Sequence, residues 1–337
     1  MPVVTDRSHV LELHHMAEEA KVVVPVICYD GREDMEGALI AVSGFSREHG
    51  IETPVLGLSV TYGYPDMSQA GRVWRCGDKE AGLVASLNDM EILCGKDGPY
   101  RNVNVIPNLD HSDAENEKDV RMRHRDRFGT MLIDGSLCNR SYEDNVRLTA
   151  QAVQELGGRG GSLVFEGCLQ RPAVYGAHES QALAGGSATP EEYAKLAKDY
   201  MDATGVDFLV VELGSKQQAV GWASWDRNIA DAVVKKVGRK LVIHGGSSIK
   251  PEDMKDLGIC AARFNMWTRM AYEAAQAGAE AVMGAAKDIF TGDRPRDGPP
   301  QLYRVRYRNA YVDLAVRVVS DVLDSQGYQK LAGHRLG

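Results

Sequence analysis

Residues 130–165, TMLIDGSLCNRSYEDNVRLTAQAVQELGGRGGSLVF, read as one strand–helix–strand unit. Thr130–Ile133 is a short apolar run. Ser141 and Asp144 then open SYEDNVRLTAQAVQEL with helix-capping chemistry, and a glycine-rich turn through Gly161 leads into a second run, Ser162–Phe165. Both runs are apolar on both parities, as strands covered on two faces must be, so the unit predicts a parallel β–α–β crossover.

The same alternation extends in both directions. Further strand candidates are Val22–Cys28, Val55–Val60, Val103–Leu109, Asp207–Val211, Lys240–Ile243 and Cys260–Phe264. Ser112, three residues before Glu115, has capping-box spacing and predicts a helix over SDAENEKDVRMRHRDRF. Thr189–Pro190–Glu191–Glu192 opens another helix that Gly205 closes. The seventh helix, Pro251–Leu257, is short. Eight such units over about 270 residues predict a closed (β/α)8 TIM barrel of the α/β class, with an open doubly wound sheet as the alternative.

The segment before Val22 reads as a helix over the barrel floor, and YRVRYRNAYVDLAVRVVSDVLDSQGY as a long C-terminal helix. Its stripe of Tyr311, Leu314, Val318 and Val322 can pack on its own barrel or on a neighbouring subunit. With no repeat and no linker, the expectation is one domain over 1–337: a barrel at about 20–290 and a helical tail at about 300–337.

With 44% hydrophobic residues and a mean hydropathy of −0.30, the chain can build a core without disulfides. Its 39 Lys+Arg against 47 Asp+Glu give a net charge of −8, which argues against a nucleic-acid partner. No apolar run approaches the ~18 residues of a membrane span. The opening MPVVTDRSHVLELHH lacks the apolar core of a signal peptide, and six scattered cysteines form no CxxC pair. A reduced, cytoplasmic protein is expected.

In such a barrel the residues after each strand line the working face. Here they are Tyr29–Asp30, Thr61, Asp110–His111, Asp134–Gly135–Ser136, Glu166, Glu212–Ser215, His244–Ser247 and Asn265. Asp134 and Ser136 also fit as helix caps. His111 and His244 each directly follow an apolar strand and point to a site. LVIHGGSS (Leu241–Ser248) sets two glycines and two serines after strand seven, where barrels frequently hold phosphate. Arg263, Arg269, Lys216 and Arg171 lie in or near the same loops.

NLDH (Asn108–His111), MLIDGS (Met131–Ser136), VDFLVVELGS (Val206–Ser215), LVIHGGSS and ARFNMWTRMA (Ala262–Ala271) follow in an order and spacing that resemble the class II, metal-dependent fructose-/tagatose-bisphosphate aldolases. The resemblance runs from about Tyr29 to the C-terminal QGYQKLAG. It implies a (β/α)8 barrel that is a homodimer or homotetramer. It also implies a carbon–carbon lyase in which a divalent cation, usually zinc, polarises dihydroxyacetone phosphate and stabilises its enediolate. By resemblance Asp110 shuttles the proton of the cleaved bond, while His111 and His244 bind metal. Gly214, Ser215, Gly245, Gly246, Ser247 and Thr268 bind phosphate, and Asn265 holds the substrate.

The departures from the family pattern point to another substrate than fructose 1,6-bisphosphate. The third metal histidine falls on Gln217, a harder and weaker ligand that shifts selectivity toward Mn2+, Co2+ or Mg2+. FEGCLQ keeps Glu166 but sets Cys168 where a second carboxylate stands; with Glu212, both are alternative third ligands. The loop of the proton-abstracting acid becomes QRPAVYGAHES, in which His178 or Glu179 can act as base. Glu212 interrupts an apolar strand, and serves as ligand or base or pairs with Lys240 or Arg263.

The leading expectation is therefore a lyase or synthase acting on a phosphorylated ketose, or on dihydroxyacetone phosphate plus an aldehyde. The alternatives are a metal-independent isomerase or condensing enzyme relying on His178, Glu212 or Asp110, and a non-catalytic sugar-phosphate-binding relative.

Overall fold

The computed structural model describes residues 3–64, 67–172, 174, 189–287 and 299–336. Eight parallel strands close into a barrel in sequence order. They are β1 (Val24–Cys28), β2 (Val55–Thr61), β3 (Asn104–Asp113), β4 (Thr130–Asp134), β5 (Val164–Cys168), β6 (Phe208–Val210), β7 (Leu241–Ile243) and β8 (Ala261–Met266). The helices are α1 (Arg7–Glu19), α2 (Arg32–His49), α3 (Gln69–Arg72), α4 (Lys79–Cys94), α5 (Lys118–His124), α6 (Tyr142–Glu155), α7 (Pro190–Thr204), α8 (Arg227–Val237), α9 (Pro251–Met254), α10 (Leu257–Cys260), α11 (Thr268–Gly284) and the terminal helix Pro299–Ser325. The expected closed barrel is the observed fold.

Helix starts follow the capping chemistry read above. Ser141 Oγ accepts from Asp144 N, and Thr189 forms a full capping box with Glu192. The exception is α5. Ser112 stays in β3, which runs to Asp113, and α5 begins only at Lys118. Asp113 is the reason: its Oδ1 accepts from Glu115 N and Asn116 N at 2.9 and 3.0 Å, fixing a turn one residue later. The Ser112 hydroxyl donates instead to Glu117 at 2.9 Å.

Helix α1 lies over the floor, at the N-terminal ends of the strands. Arg7 donates to both oxygens of Asp207 and to the Leu163 carbonyl, and His14 packs against Phe208 with ring centroids 4.7 Å apart. The terminal helix packs on its own barrel, against α2 and α11, with Tyr311, Val318 and Val322 buried and Leu314 partly so. It crosses α2 at Gly37, where a Cβ would come within 2.7 Å of Ala315. Tyr311 donates to Asp34 at 2.5 Å, and Tyr328 ties the end of the chain to the Val55 backbone.

Two strand ends differ from expectation in a way that matters for the site. β5 runs on to Cys168, so Glu166 sits inside the barrel rather than on its rim. β3 carries a register shift between Leu109 and Ser112, and His111 adopts φ 43°. In a regular strand consecutive side chains point to opposite faces. The bulge suspends that alternation, so Asp110 and His111 both reach the cleft.

Candidate active site

The cleft at the C-terminal ends of the strands is lined from β1, β2, β3, β7 and β8 and from the loop after β6. At its base lie Asp110, His111 and His244, all buried, with ligand-type atoms within 4.8 Å of one another. His111 Nδ1 donates to Asp134 Oδ2 at 2.6 Å. Asp134 is itself held by the Ser136 backbone and hydroxyl at 2.9 and 2.6 Å. That anchor fixes the tautomer and leaves the Nε2 lone pair of His111 facing inward. Nε2 lies 3.1 Å from His244 Nδ1, and the Gln217 amide nitrogen lies 3.0 and 3.4 Å from these two atoms.

Those three atoms form a nearly equilateral triangle. Ligands about 2.05 Å from a tetrahedral cation lie about 3.3 Å apart, so the triangle has the edge length of one coordination face. Two amides complete the match. Gln217 Oε1 accepts from Tyr64 at 3.0 Å; turned over, the amide would donate to Tyr64 and present its oxygen inward. Asn265 Nδ2 faces His244 Nε2 at 3.2 Å, while its Oδ1 is buried without a partner. Turned over, Asn265 would accept from Nε2–H and free the His244 Nδ1 lone pair. The residues fit a divalent cation.

The electrostatics agree. Burial holds His244 well below the usual imidazole range, and its neighbours His111 and Arg263 add to the shift, so it is a neutral lone-pair donor. Burial also depresses His111, but Asp110 and Asp134 outweigh it and hold the ring above its ordinary value, a basicity that suits a cation. Burial raises the carboxyl of Asp110 against the pull of His111 and Arg263. Its Oδ1 has no partner, and its Oδ2 lies 3.8 Å from Cys28 Sγ.

Beside this cluster the turn after β7 is shaped for an anion. Gly245 has φ 65°, and a Cβ there would meet the Lys216 carbonyl at 2.7 Å. At Gly246 a Cβ would strike the Asn265 carbonyl at 2.6 Å. Ser247 Oγ accepts from Arg269 N and Trp267 N at the start of α11, and Thr268 lines the cleft. Two glycines, a serine hydroxyl and the first turn of a 17-residue helix thus lie together beside the cluster, an arrangement suited to an anion.

Nine of the residues expected from sequence thus meet in one cleft: Asp110, His111, His244, Gln217, Gly245, Gly246, Ser247, Asn265 and Thr268. Others stand apart. Ser215 Oγ donates to the His244 carbonyl at 2.6 Å, and Gly214, with φ 90°, shapes the turn before it. Glu212 is partly exposed and accepts from Gly214 N at 2.7 Å; the strand has already ended, so it caps a turn. Glu166 is paired with Arg263 inside the barrel, and the Cys168 thiol donates to the Gln170 carbonyl at 3.0 Å. His178 and Glu179 lie outside the described residues. Two of the four cations expected near the phosphate loop, Arg263 and Arg269, also turn away. Arg263 is buried below the cluster, and the Arg269 guanidinium lies over the Trp222 ring, 3.4 Å from its centroid.

Sequence reasoning missed Tyr64, whose ring packs on His111 with centroids 4.5 Å apart, and Trp267, which forms one wall. Neither carries a charge, and Trp267 lies within ARFNMWTRMA, where the pattern points to Asn265 and Thr268 instead. Asp134 reads from sequence both as a rim residue and as a possible cap; it orients His111 and accepts from the Ser136 backbone and hydroxyl.

Comparison with known proteins gives the same direction. A family model described as class-II fructose-bisphosphate aldolase matches residues 81–327. The fructose-bisphosphate aldolase of Giardia intestinalis is 31% identical over 163 residues, 47% of this chain and 46% of that protein. That of Geobacillus stearothermophilus is 29% identical over 154 residues, 43% and 49% of the two chains. These matches span about half the length of the curated relatives. The solved fructose-bisphosphate aldolase of Campylobacter jejuni superposes with a TM-score of 0.71 at 14% identity, covering 97% of this chain and 96% of that one, which shows the shared fold. Among the described residues no helix is long and apolar enough to cross a membrane.

Proposed function

The chain belongs to the class II fructose-bisphosphate aldolase family, and from that premise we propose that it is a divalent-metal-dependent carbon–carbon lyase or synthase. Its donor is dihydroxyacetone phosphate or the matching half of a phosphorylated ketose, and its reaction differs from the standard cleavage of fructose 1,6-bisphosphate. The observation that carries the reading is the triangle of His111, His244 and Gln217 beside the anion cradle of Gly245–Ser247.

His111, His244 and Gln217 would hold the cation, which supplies Lewis-acid polarisation of the donor carbonyl when bound. With Gln217 as third ligand, we assign zinc or a harder ion such as Mn2+, Co2+ or Mg2+. The cradle and Thr268 fix the donor phosphate, which places the reacting carbons under Asn265. Asp110, buried and with one oxygen unpartnered, gives a proton to the new alkoxide in synthesis and removes it in cleavage. The proton on the donor carbon goes to a base, for which His178 and Glu179 are the candidates. We further take the barrel and its terminal helices as one functional unit working in the cytoplasm, in line with six free cysteines.

The test is elemental analysis of the purified chain together with turnover of dihydroxyacetone phosphate and an aldehyde. About one divalent ion per chain, with turnover abolished by chelation and restored by the metal, is expected. Full turnover by the chelated protein would overturn the reading.

A further inference from the structure

The cleft is chemically divided between two sectors of the barrel. β3, β7 and the loop after β6 contribute Asp110, His111, His244, Gln217 and the anion cradle. The adjoining β8–β1–β2 sector contributes Trp267, Met266, Cys28 and Met67. β8 also contributes Asn265 beside His244, with Oδ1 unpartnered, whereas Thr61 and Gln69 farther along the sector are occupied. Thr61 N donates to Gln69 Oε1 at 2.9 Å, Gln69 N donates to Thr61 Oγ1 at 3.0 Å, and Thr61 Oγ1 donates to the Met67 carbonyl at 2.7 Å.

Among the described residues no lysine or arginine lines the cleft. Arg72 is near, but its guanidinium sits 5.7 Å from the Trp267 ring centroid and 3.4 Å from Asp30. Residues 172–188 contain neither lysine nor arginine. Among the described residues a second phosphate would therefore find no lysine or arginine lining this sector of the cleft, and burying it against methionine and indole would be costly. A flat or aliphatic group would instead gain from the same wall.

We propose that the substrate of this site carries a single phosphate, on the donor half, and that the acceptor is an uncharged aldehyde with an apolar substituent seated against Trp267, Met67 and Met266. The proposal rests on the donor chemistry assigned above. In synthesis the donor hydroxymethyl carbon gives one proton to the base and forms the new C–C bond with the aldehyde carbon. The carbonyl π pair passes to the aldehyde oxygen, which takes a proton from Asp110. The addition needs no oxidant and no third reactant.

The experiment uses the metal-loaded full chain in two steps. Exchange of the donor carbon proton of dihydroxyacetone phosphate in D2O, followed by NMR without acceptor, reads the donor chemistry alone. Synthesis is then compared with butanal, benzaldehyde and glyceraldehyde 3-phosphate. Exchange is expected, with kcat/KM at least about tenfold higher for the apolar aldehydes, the usual discrimination of an apolar pocket. Trp267→Ala should erase that preference through a higher KM for the apolar aldehydes, whereas Trp267→Phe should retain it. Met67→Lys, on a loop, should raise kcat/KM for glyceraldehyde 3-phosphate. Exchange accompanied by a preference for glyceraldehyde 3-phosphate overturns the proposal and leaves the donor chemistry standing. Absence of exchange overturns both.

Discussion

The side-chain amide nitrogen of Gln217 lies 3.0 Å from Nε2 of His111 and 3.4 Å from Nδ1 of His244, so the amide closes the triangle proposed to hold the cation. An amide oxygen binds zinc more weakly than imidazole does. Gln217→His should therefore tighten zinc binding by at least about tenfold and shift selectivity away from Mn2+ and Mg2+, while Gln217→Ala should weaken binding of every divalent ion by a similar factor. Competition titration with a chromogenic chelator measures both. If neither variant changes metal affinity, Gln217 is not a ligand.

Much of this site was legible because barrel chemistry sits at strand ends, and strand ends can be read from apolar runs. NLDH and LVIHGGSS placed Asp110, His111, His244 and the glycine turn on the correct strands. What escaped was whatever depends on a local break in regularity. The bulge that turns both Asp110 and His111 inward has no composition signal, nor does the extension of β5 that carries Glu166 into the barrel. Tyr64 meets His111 and Gln217 through contacts between residues far apart in the chain, which its own sequence neighbours do not signal.

Glu166 and Arg263 form an ion pair that is almost wholly buried below Asp110, His111 and His244, with Arg263 also donating to Thr130 at 2.9 Å. Removing one partner leaves the other as a lone charge in the barrel. Glu166→Leu or Arg263→Met alone should each destabilise the fold by about 3–5 kcal/mol. The double variant should be more stable than either single one, because it leaves no stranded charge. Urea denaturation of the three variants checks this. Additive losses would show that packing, not the charge, dominates.

Glu117 is buried against Ser112, and burial raises its carboxyl to about 7 in the fold. At pH values between its ordinary range near 4.5 and about 7, the folded state retains a proton that the unfolded chain has released. Stability therefore declines as pH rises through that window and stays reduced above it. Glu117→Gln cannot ionise, so its stability should fall less from pH 4.5 to 7.5. The difference from the parent should grow in the variant's favour by up to a few kcal/mol. Denaturant midpoints at four pH values measure the slope; parallel profiles for the two proteins would refute the assignment.

Asp110 and His244 stand in the same buried cluster, yet they are assigned different work. His244 offers a neutral lone pair toward His111, so His244→Ala should lose both the metal and turnover. On the proposed assignment Asp110 handles the proton at the cleaved bond, so Asp110→Ala should keep the metal and bind the donor phosphate. Its turnover should fall by about 10²–10⁴, the usual contribution of a positioned acid–base group. Elemental analysis, phosphate-donor titration and rate measurement on the same preparations separate the two roles. If Asp110→Ala loses metal as completely as His244→Ala, the carboxylate is a ligand rather than the proton carrier. The proton at the cleaved bond must then come from another group facing the cleft.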